Sequence, residues 1–435
     1  MAEVSPFHGI RYNPAQISDL SAVICPPYDI ISPAGQRDLY ERNPHNFVRI
    51  EYGEVMDQDS EEDNKYTRAV SYFKDWLNRK ILIADAKPAV YVHDHYFLYK
   101  GREYRRRGIA CRVRLEEWAR MVVRPHEGTL AAPKSDRIRL LSTLGANTSP
   151  ILSMYRDSSG EIAEILEKCA AGKPIASAPL RDGERHELYS VNATGELRRL
   201  AEIFAAEPLY IADGHHRYES ALTYQREKRA LHPDAPAGAP FNFVLMTLVD
   251  MDDPGLLILP PHRLLRGLAP AKIAELNTKL PSFFEVEKLS LSTGGVWRAI
   301  EARQADEEKL RLVLVGPGKE EVRVLTLRDF EAAARLMPYF HTDIYKRLDV
   351  SLVDHIVLEE MLGLKPEGEA GIAFNYDRTD TVEKVRRGDY QLAFIVKPVR
   401  PETIKNIADA QDRMPRKSTY FYPKLPSGLL VNRVE

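Results

Sequence analysis

The sequence predicts a mixed α/β protein of the α+β type. Three observations predict it. Apolar runs of strand length, such as Phe241–Asp250 and Tyr390–Val396, are interspersed with longer stretches of helical periodicity. The two kinds alternate irregularly, so a strict strand–helix–strand winding is not indicated. No internal repeat or low-complexity tract breaks the pattern. The chain has 435 residues, enough for two or three domains or one elaborate one. With 44% hydrophobic and 29% charged residues it can bury a sizeable core under an ordinary polar surface.

The elements follow in order. Ile24 to Ser32 reads as a strand entering a proline-fixed turn, and Ser32 with Pro33 opens a helix, cap then proline. Asp63 to Asn78 is periodic through Tyr66, Ala69, Val70, Phe73 and Leu77 and reads as a helix. Ala89–Tyr99 and Tyr104–Val113 read as paired strands around Lys100, Gly101 and Arg102. Helices are expected at Glu161–Cys169 and Ala193–Ala205, and strands at Phe241–Asp250 and Leu256–Leu259. Ala271–Leu280, opened by Pro270, and Thr293–Ala305 read as amphipathic helices. Leu310–Val315 and Glu321–Leu327 read as a hairpin around Gly316 to Lys319. Ser351–Leu362 reads as a helix and Tyr390–Val396 as a buried strand. Four segments result: an N-terminal α/β region (1–120), a motif-bearing core (121–265), a small α+β insert (266–335) and a C-terminal α/β region completing the core (336–435).

The net charge of −2 offers no general basic surface, so neither nucleic acid nor a membrane is an expected partner. The three cysteines, Cys25, Cys111 and Cys169, are far apart and form no CxxC pair. That fits a reducing compartment and argues against a thiolate zinc site. Residues 1–20 have neither the basic nor the apolar region of a signal peptide, so a cytoplasmic protein is expected.

The chemistry concentrates at Ile211–Glu219. A run of short apolar residues, Pro208 to Ala212, leads into Asp213, Gly214, His215, His216 and Arg217, and a helix-compatible run follows from Tyr218 to about Lys228. Strand, tight turn and helix in that order set the turn at a helix N-terminus, where unpaired N–H groups and the dipole attract anions. Gly214 allows positive φ or close approach to a ligand. Asp213 is a natural N-cap. His215, His216 and Arg217 add donors that suit phosphate oxygens. The local chemistry points to a phosphate, foremost that of a nucleotide, although Asp-Gly is also a common turn dipeptide.

A second cluster is Val123 to Thr129 followed by Pro133 to Arg137. Glu127 is a candidate general base, and His126, Lys134 and Arg137 are candidate ligands of phosphate or carboxylate; an exposed charged loop before a helix is the plainer reading. His262-Arg263 follows a Pro-Pro turn, and Arg263 is a further candidate for the same pocket or an exposed loop residue. Asp250, Asp252 and Asp253 are candidate magnesium ligands or simply a turn before Pro254-Gly255. Lys417 is a candidate cation or a solvated edge. His93 and His95 fall on one face of a strand, a candidate metal pair without an evident third ligand. No Walker A, GxSxG, HExxH or usable GxGxxG pattern is present.

Asp-Gly-His-His-Arg resembles the hallmark of the ParB/sulfiredoxin-like superfamily, in particular its free-serine kinase branch, and Pro125-His126-Glu127 matches an upstream Pro-His-Glu of those kinases. The whole chain also resembles domain-of-unknown-function family 1015, through Pro26 to Asp29, Asn43-Pro44 with Asn46 to Arg49, His126-Glu127, Asp213 to Tyr218, Leu248 to Asp252 and Met414 to Lys424. The resemblance implies a ParB/sulfiredoxin-like core elaborated by N-terminal, inserted and C-terminal α/β segments, with the helices between about 150 and 205 as an insertion. It implies that Glu127 and Asp213 are catalytic and that Gly214, His215, His216 and Arg217 hold the cofactor, ATP or ADP with Mg2+. Asp213 is then one candidate metal ligand. The expected activity is a nucleotide-dependent phosphotransferase acting on a small hydroxylated metabolite, free L-serine first. The alternatives are a phosphoserine-type phosphatase and a non-catalytic nucleotide-binding switch. A homo-oligomer is compatible with the sequence.

Overall fold

Val90–Tyr99 and Arg102–Arg114 are the longest strands of the chain, and the turn between them shows why they pair. Lys100 and Gly101 both take positive φ (50° and 77°), the two-residue turn whose twist matches a hairpin. Tyr99 then faces Arg102 and the register runs unbroken to Tyr91 opposite Ala110. The computed structural model describes residues 2–129, 131–180, 183–306, 309–316, 318, 320–365 and 371–435. The chain forms two units, one of residues 1–125, 129–257 and 423–435, the other of residues 126–128 and 258–422.

In the first unit this hairpin joins a nine-stranded mixed sheet. Its order is Val123–Arg124, Leu209–Asp213, Ile151–Tyr155, Phe243–Asp250, Arg102–Arg114, Val90–Tyr99, Arg185–Val191 and Ala176–Pro179, with Val4–Ser5 paired to the far end of Arg102–Arg114. Alternate residues of its strands enter two different cores. Val90, Val92, Ile109, Cys111, Val244, Met246 and Leu248 pack on one face with Ile162, Leu166, Leu200, Phe204 and Leu222 from three helices. Tyr91, Ala110, Leu188 and Leu245 pack on the other with Leu39, Phe73 and Trp76. A sheet covered on both faces needs nearly continuous apolar strands, which is why Phe243–Val249 carries only one polar side chain, Thr247. The helices start on local chemistry. Ser32 accepts from the Gly35 N–H ahead of Pro33–Arg42, and Asn64 with Thr67 forms a capping box for Lys65–Asn78.

The second unit is built on a six-stranded antiparallel sheet ordered Phe284–Ser290, Glu321–Leu327, Arg311–Val315, Leu392–Ile395, His262–Leu265 and Ile372–Asn375. Leu264, Val313, Val315, Val322, Val324, Ala393 and Ile395 meet Val296, Ile300, Val382 and Val385 of two helices in one core. Among the described residues no helix is long and apolar enough to cross a membrane.

The mixed α/β class stands, while several local expectations change. The segments 1–120 and 121–265 share one sheet, since Phe243–Val249 pairs with Arg114–Gly108. The segments 266–335 and 336–435 share the other, since Val313–Val315 pairs with Ile395–Ala393. Within the 150–205 stretch, Ile151–Tyr155 lies at the sheet's interior between Leu209–Asp213 and Phe243–Asp250. Ile24–Ser32 forms no strand beyond a single bridge, Cys25 to Ser427, and Tyr28–Ile30 winds into one 3-10 turn. The prolines at 26 and 27 supply no ladder N–H, which explains the loss. The periodic run at 351–362 winds as a π-helix, Leu352–Met361, after one α-turn. Strands Arg311–Val315 and Glu321–Leu327 pair as expected; Pro317 and Lys319 of their turn lie outside the described residues.

Candidate functional site

The site of the first unit grows from the strand Leu209–Asp213. It lies between Val123–Arg124 and Ile151–Tyr155 and is buried up to Ala212. Ile211 faces Ser153 and Asp213 faces Leu152, so Ala212 is an extra residue in the strand. Such a bulge re-aims the side chain that follows it, here Asp213. Gly214 then turns the chain at φ 103° and ψ 27° into the 17-residue helix His215–Leu231.

Gly214, not Asp213, occupies the cap position, and a glycine has no side chain to cap the helix. The expected capping by Asp213 is replaced by two ion pairs. Lys424 Nζ donates to Asp213 Oδ1, and Arg217 Nη2 donates to Oδ2 at 2.7 Å. Charge-assisted bonds of this kind are about twice as strong as a neutral one, which explains why the carboxylate turns to them. Arg217 also donates from Nη1 to the Pro150 carbonyl at 2.5 Å. Burial pushes the Asp213 carboxyl up, but the Lys424 ammonium and Arg217 guanidinium, then His215, pull it well below the usual carboxylate range. Burial would lower the Lys424 ammonium, yet Asp213 and Asp29 hold it above its ordinary value.

Gly214 is required twice over. A Cβ there would lie 2.9 Å from Arg217 Nε and 3.0 Å from Cζ, and the positive φ is strained for any L side chain. Gly214→Ala is therefore expected to cost about 1–3 kcal/mol and to push the Arg217 guanidinium off Asp213. Urea denaturation checks the stability, and a smaller loss on adding Arg217→Ala to Gly214→Ala than to the wild type checks the displacement.

The structure gathers further motif residues around this turn. Lys424 Nζ also stands 3.9 Å from Asp29 Oδ2. Burial pushes the neighbouring Tyr28 phenol up to about 12, with Arg217 and Arg137 pulling the other way. Arg137 and Arg217 line one cavity of about 40 Å³ with Asn147, Thr148, Ser149 and Ser220, room for a few waters at most. His215 is buried and His216 half-buried at the start of the helix. Lys134 lies beside the helix's second turn, its ammonium 3.5 Å from Glu219 and its carbonyl accepting from Ser220 Oγ.

Two of the expected anion ligands are committed to protein partners. Arg137 is buried, donates to Asp136 Oδ2 at 2.8 Å and to the Glu51 carbonyl at 3.1 Å, and stacks over Tyr28. In the second unit Arg263 is 1% exposed and grips both oxygens of Asp354 at 3.1 Å. It is neither an exposed loop residue nor open to a ligand, because its strand is interior to the sheet. Asp250 and Asp253 accept from backbone N–H groups, the turn role, and burial pushes both carboxyls up.

His126 and Glu127 belong to the second unit. Glu127 bridges to Met414, whose N–H donates to the His126 carbonyl at 2.8 Å. His126 is fully buried with Nε2 3.1 Å from Thr419 Oγ1, and the same hydroxyl donates to Glu127 Oε1 at 3.4 Å. Lys417, in the same segment, is exposed. The residue that sequence reasoning passes over is Lys424. Its only signal is its place at the end of the Met414–Lys424 motif.

The model of DUF1015, a family of proteins of unknown function, matches residues 4–351, and the chain belongs to that family. No curated protein matches it. Similar solved structures include a conserved hypothetical protein from Pyrococcus furiosus, at 14% identity and TM-score 0.35, covering 72% of this chain and 92% of that one. A free serine kinase in complex with AMP is similar at 13% identity and TM-score 0.34, with 71% and 88% covered. SbnI with a C-terminal truncation, from Staphylococcus aureus, is similar at 11% identity and TM-score 0.32, with 72% and 84% covered.

Proposed function

We propose that this protein is a nucleotide-dependent phosphotransferase acting on a small hydroxylated metabolite, with free L-serine as the first acceptor to test. One observation carries the reading: Asp213 gathers Arg217 and Lys424 at the start of a helix whose cap residue is Gly214. Phosphate oxygens brought to this turn meet the first backbone N–H groups, the positive end of the helix dipole and two cations. Phosphoryl transfer needs mainly positioning and charge neutralisation, and these groups supply both. The Asp-Gly-His-His-Arg and Pro-His-Glu resemblances favour the same chemistry.

In this reading Arg217 and Lys424, fixed by Asp213, neutralise phosphate charge, while His215 and His216 add donors at the turn. The Pro-His-Glu resemblance gives Glu127 the role of general base, which takes the proton of the acceptor hydroxyl as that oxygen bonds to phosphorus and the bond to the nucleotide leaving group breaks. ATP or ADP supplies the phosphoryl group. Both oxygens of Asp213 already carry a cationic partner, so the donor set does not fit a magnesium ion at that residue.

Calorimetric titration with ATP and ADP in magnesium buffer is the test. Arg217→Ala is expected to weaken nucleotide binding by at least about tenfold, equivalent to about 1.4 kcal/mol. Glu127→Gln is expected to leave binding intact and to slow serine phosphorylation by about 10²- to 10⁴-fold, the usual share of a general base. Absence of binding to either nucleotide overturns the proposal, as does release of phosphate from phosphoserine without nucleotide.

A further inference from the structure

Three histidines lie together on the sheet of the first unit. His95 on the strand Val90–Tyr99 has His186 directly opposite it on one neighbouring strand and Arg106 opposite it on the other. His93 lies two positions along on the same face, its ring parallel to that of His95 within 5°. Glu184 immediately precedes the strand Arg185–Val191. The three rings are nearly inaccessible, at 5%, 1% and 1% exposure for His93, His95 and His186, while the Glu184 side chain is 31% exposed.

We propose that His95, His186 and Glu184 form a divalent-cation site, of the size and donor type that suit zinc, with His93 orienting His186. The ligand atoms already converge. Glu184 Oε1 is 2.8 Å from His95 Nε2 and 3.3 Å from His186 Nε2, and one donor atom from each residue lies within 4.8 Å of the others. Zinc bonds to nitrogen and carboxylate oxygen of about 2.0–2.2 Å place neighbouring tetrahedral ligands about 3.4 Å apart. Small movements satisfy that spacing. Glu184, at 31% exposure, is the solvent-facing member of the set.

A second observation points to a missing ligand. His186 Nε2 is buried, makes no hydrogen bond and faces the Glu184 carboxylate. Its other nitrogen, Nδ1, is 3.0 Å from His93 Nε2. The His93–His186 contact admits either tautomer; with its proton on His186 Nδ1, the Nε2 lone pair is directed at the Glu184 side and is the donor that a cation placed between them would take. A partner on the far nitrogen is also what fixes the ring of a metal-bound histidine.

Arg106 opposes the site. Its Nη2 donates to His95 Nδ1 at 2.9 Å, so His95 carries its proton on Nε2; when metal binds there the proton passes to Nδ1 and the contact with Arg106 is given up. The same Nη2 donates to the Pro423 carbonyl at 2.8 Å, which remains its acceptor when the contact with His95 is given up. Asp253, Glu184 and Asp213 are the carboxylates that act on Arg106. These carboxylates offset part of the added positive charge.

The test uses the full chain, stripped with a chelator and titrated with zinc by calorimetry and with cobalt(II) by visible absorption. One equivalent of zinc is expected, and cobalt should show the intense ligand-field bands of a four-coordinate site without a thiolate charge-transfer band. Glu184→Gln, at a half-exposed position that need not disturb folding, should cost at least about 10- to 100-fold in affinity, and His93→Phe a similar factor as the orienting partner. A zinc-induced rise in melting temperature should appear in the wild type and vanish in Glu184→Gln. No stoichiometric binding overturns the site, and so does a thiolate band or an affinity unchanged in both Glu184→Gln and His186→Gln. None of these readouts depends on phosphotransfer activity.

Discussion

Asp213→Asn is expected to lower stability by about 3–5 kcal/mol, the cost of removing one partner from a buried ion pair. The substitution keeps the shape of the side chain and removes its charge. It leaves Lys424 and Arg217, whose side chains are 10% and 11% exposed, as two facing cations. Arg217 keeps the Pro150 carbonyl and Lys424 keeps Asp29 at 3.9 Å, so the loss is partial rather than complete. Adding Lys424→Met should recover part of it, because the double variant no longer holds two uncompensated charges. The pH dependence has a definite sign. The folded Asp213 carboxyl titrates below its unfolded value of 3.8, so its contribution is present above that value and is lost as pH falls below it toward the folded value. Lys424 is raised, so its contribution is complete below 10.5 and lost as pH rises beyond it. Urea titrations of wild type and Asp213→Asn from pH 7 downward should converge below about pH 4. A parallel pair of curves would remove Asp213 from the role described.

The turn at Asp213–Arg217 was legible because its information is local. An apolar run, a glycine and a helical run in immediate succession specify strand, turn and helix whatever packs around them. The hairpin at Tyr99–Arg102 was legible for the same reason. The partner of Asp213 was not, because Lys424 is 211 positions away and only the assembled sheet brings it near. The capping expectation failed on that point: an aspartate before a helix is read as a cap when no distant cation is visible. The third histidine of the cluster, His186, and its neighbour Glu184 were hidden similarly. His93 and His95 announce themselves by alternation, but His186 meets them only through the register of a strand far along the chain. Charge is the least legible feature. Arg137 and Arg263 look like surface donors in the sequence, and both are buried on carboxylates.

The buried pair of Arg263 and Asp354 gives the other large effect. Arg263→Ala should destabilise the second unit by about 3–5 kcal/mol, because Asp354 is left as an unpaired buried carboxylate. Arg263 also loses its 2.7 Å bond to the Pro261 carbonyl and its place over the Phe374 ring. The double change Arg263→Met with Asp354→Leu should return stability to within about 1–2 kcal/mol of wild type, since well-packed apolar pairs often replace buried ion pairs without loss. Trp297 reports this unit, whereas Trp76 and Trp118 belong to the other. Variants that restore Trp76 and Trp118 to phenylalanine-like silence would isolate its signal: with both changed to Phe, denaturant titration follows Trp297 alone. The same variants decide the role of Arg263. A purely structural arginine predicts that the Met/Leu double variant binds nucleotide as the wild type does. Stability that stays low in the double variant would instead show that the unpaired Asp354 is not the source of the loss.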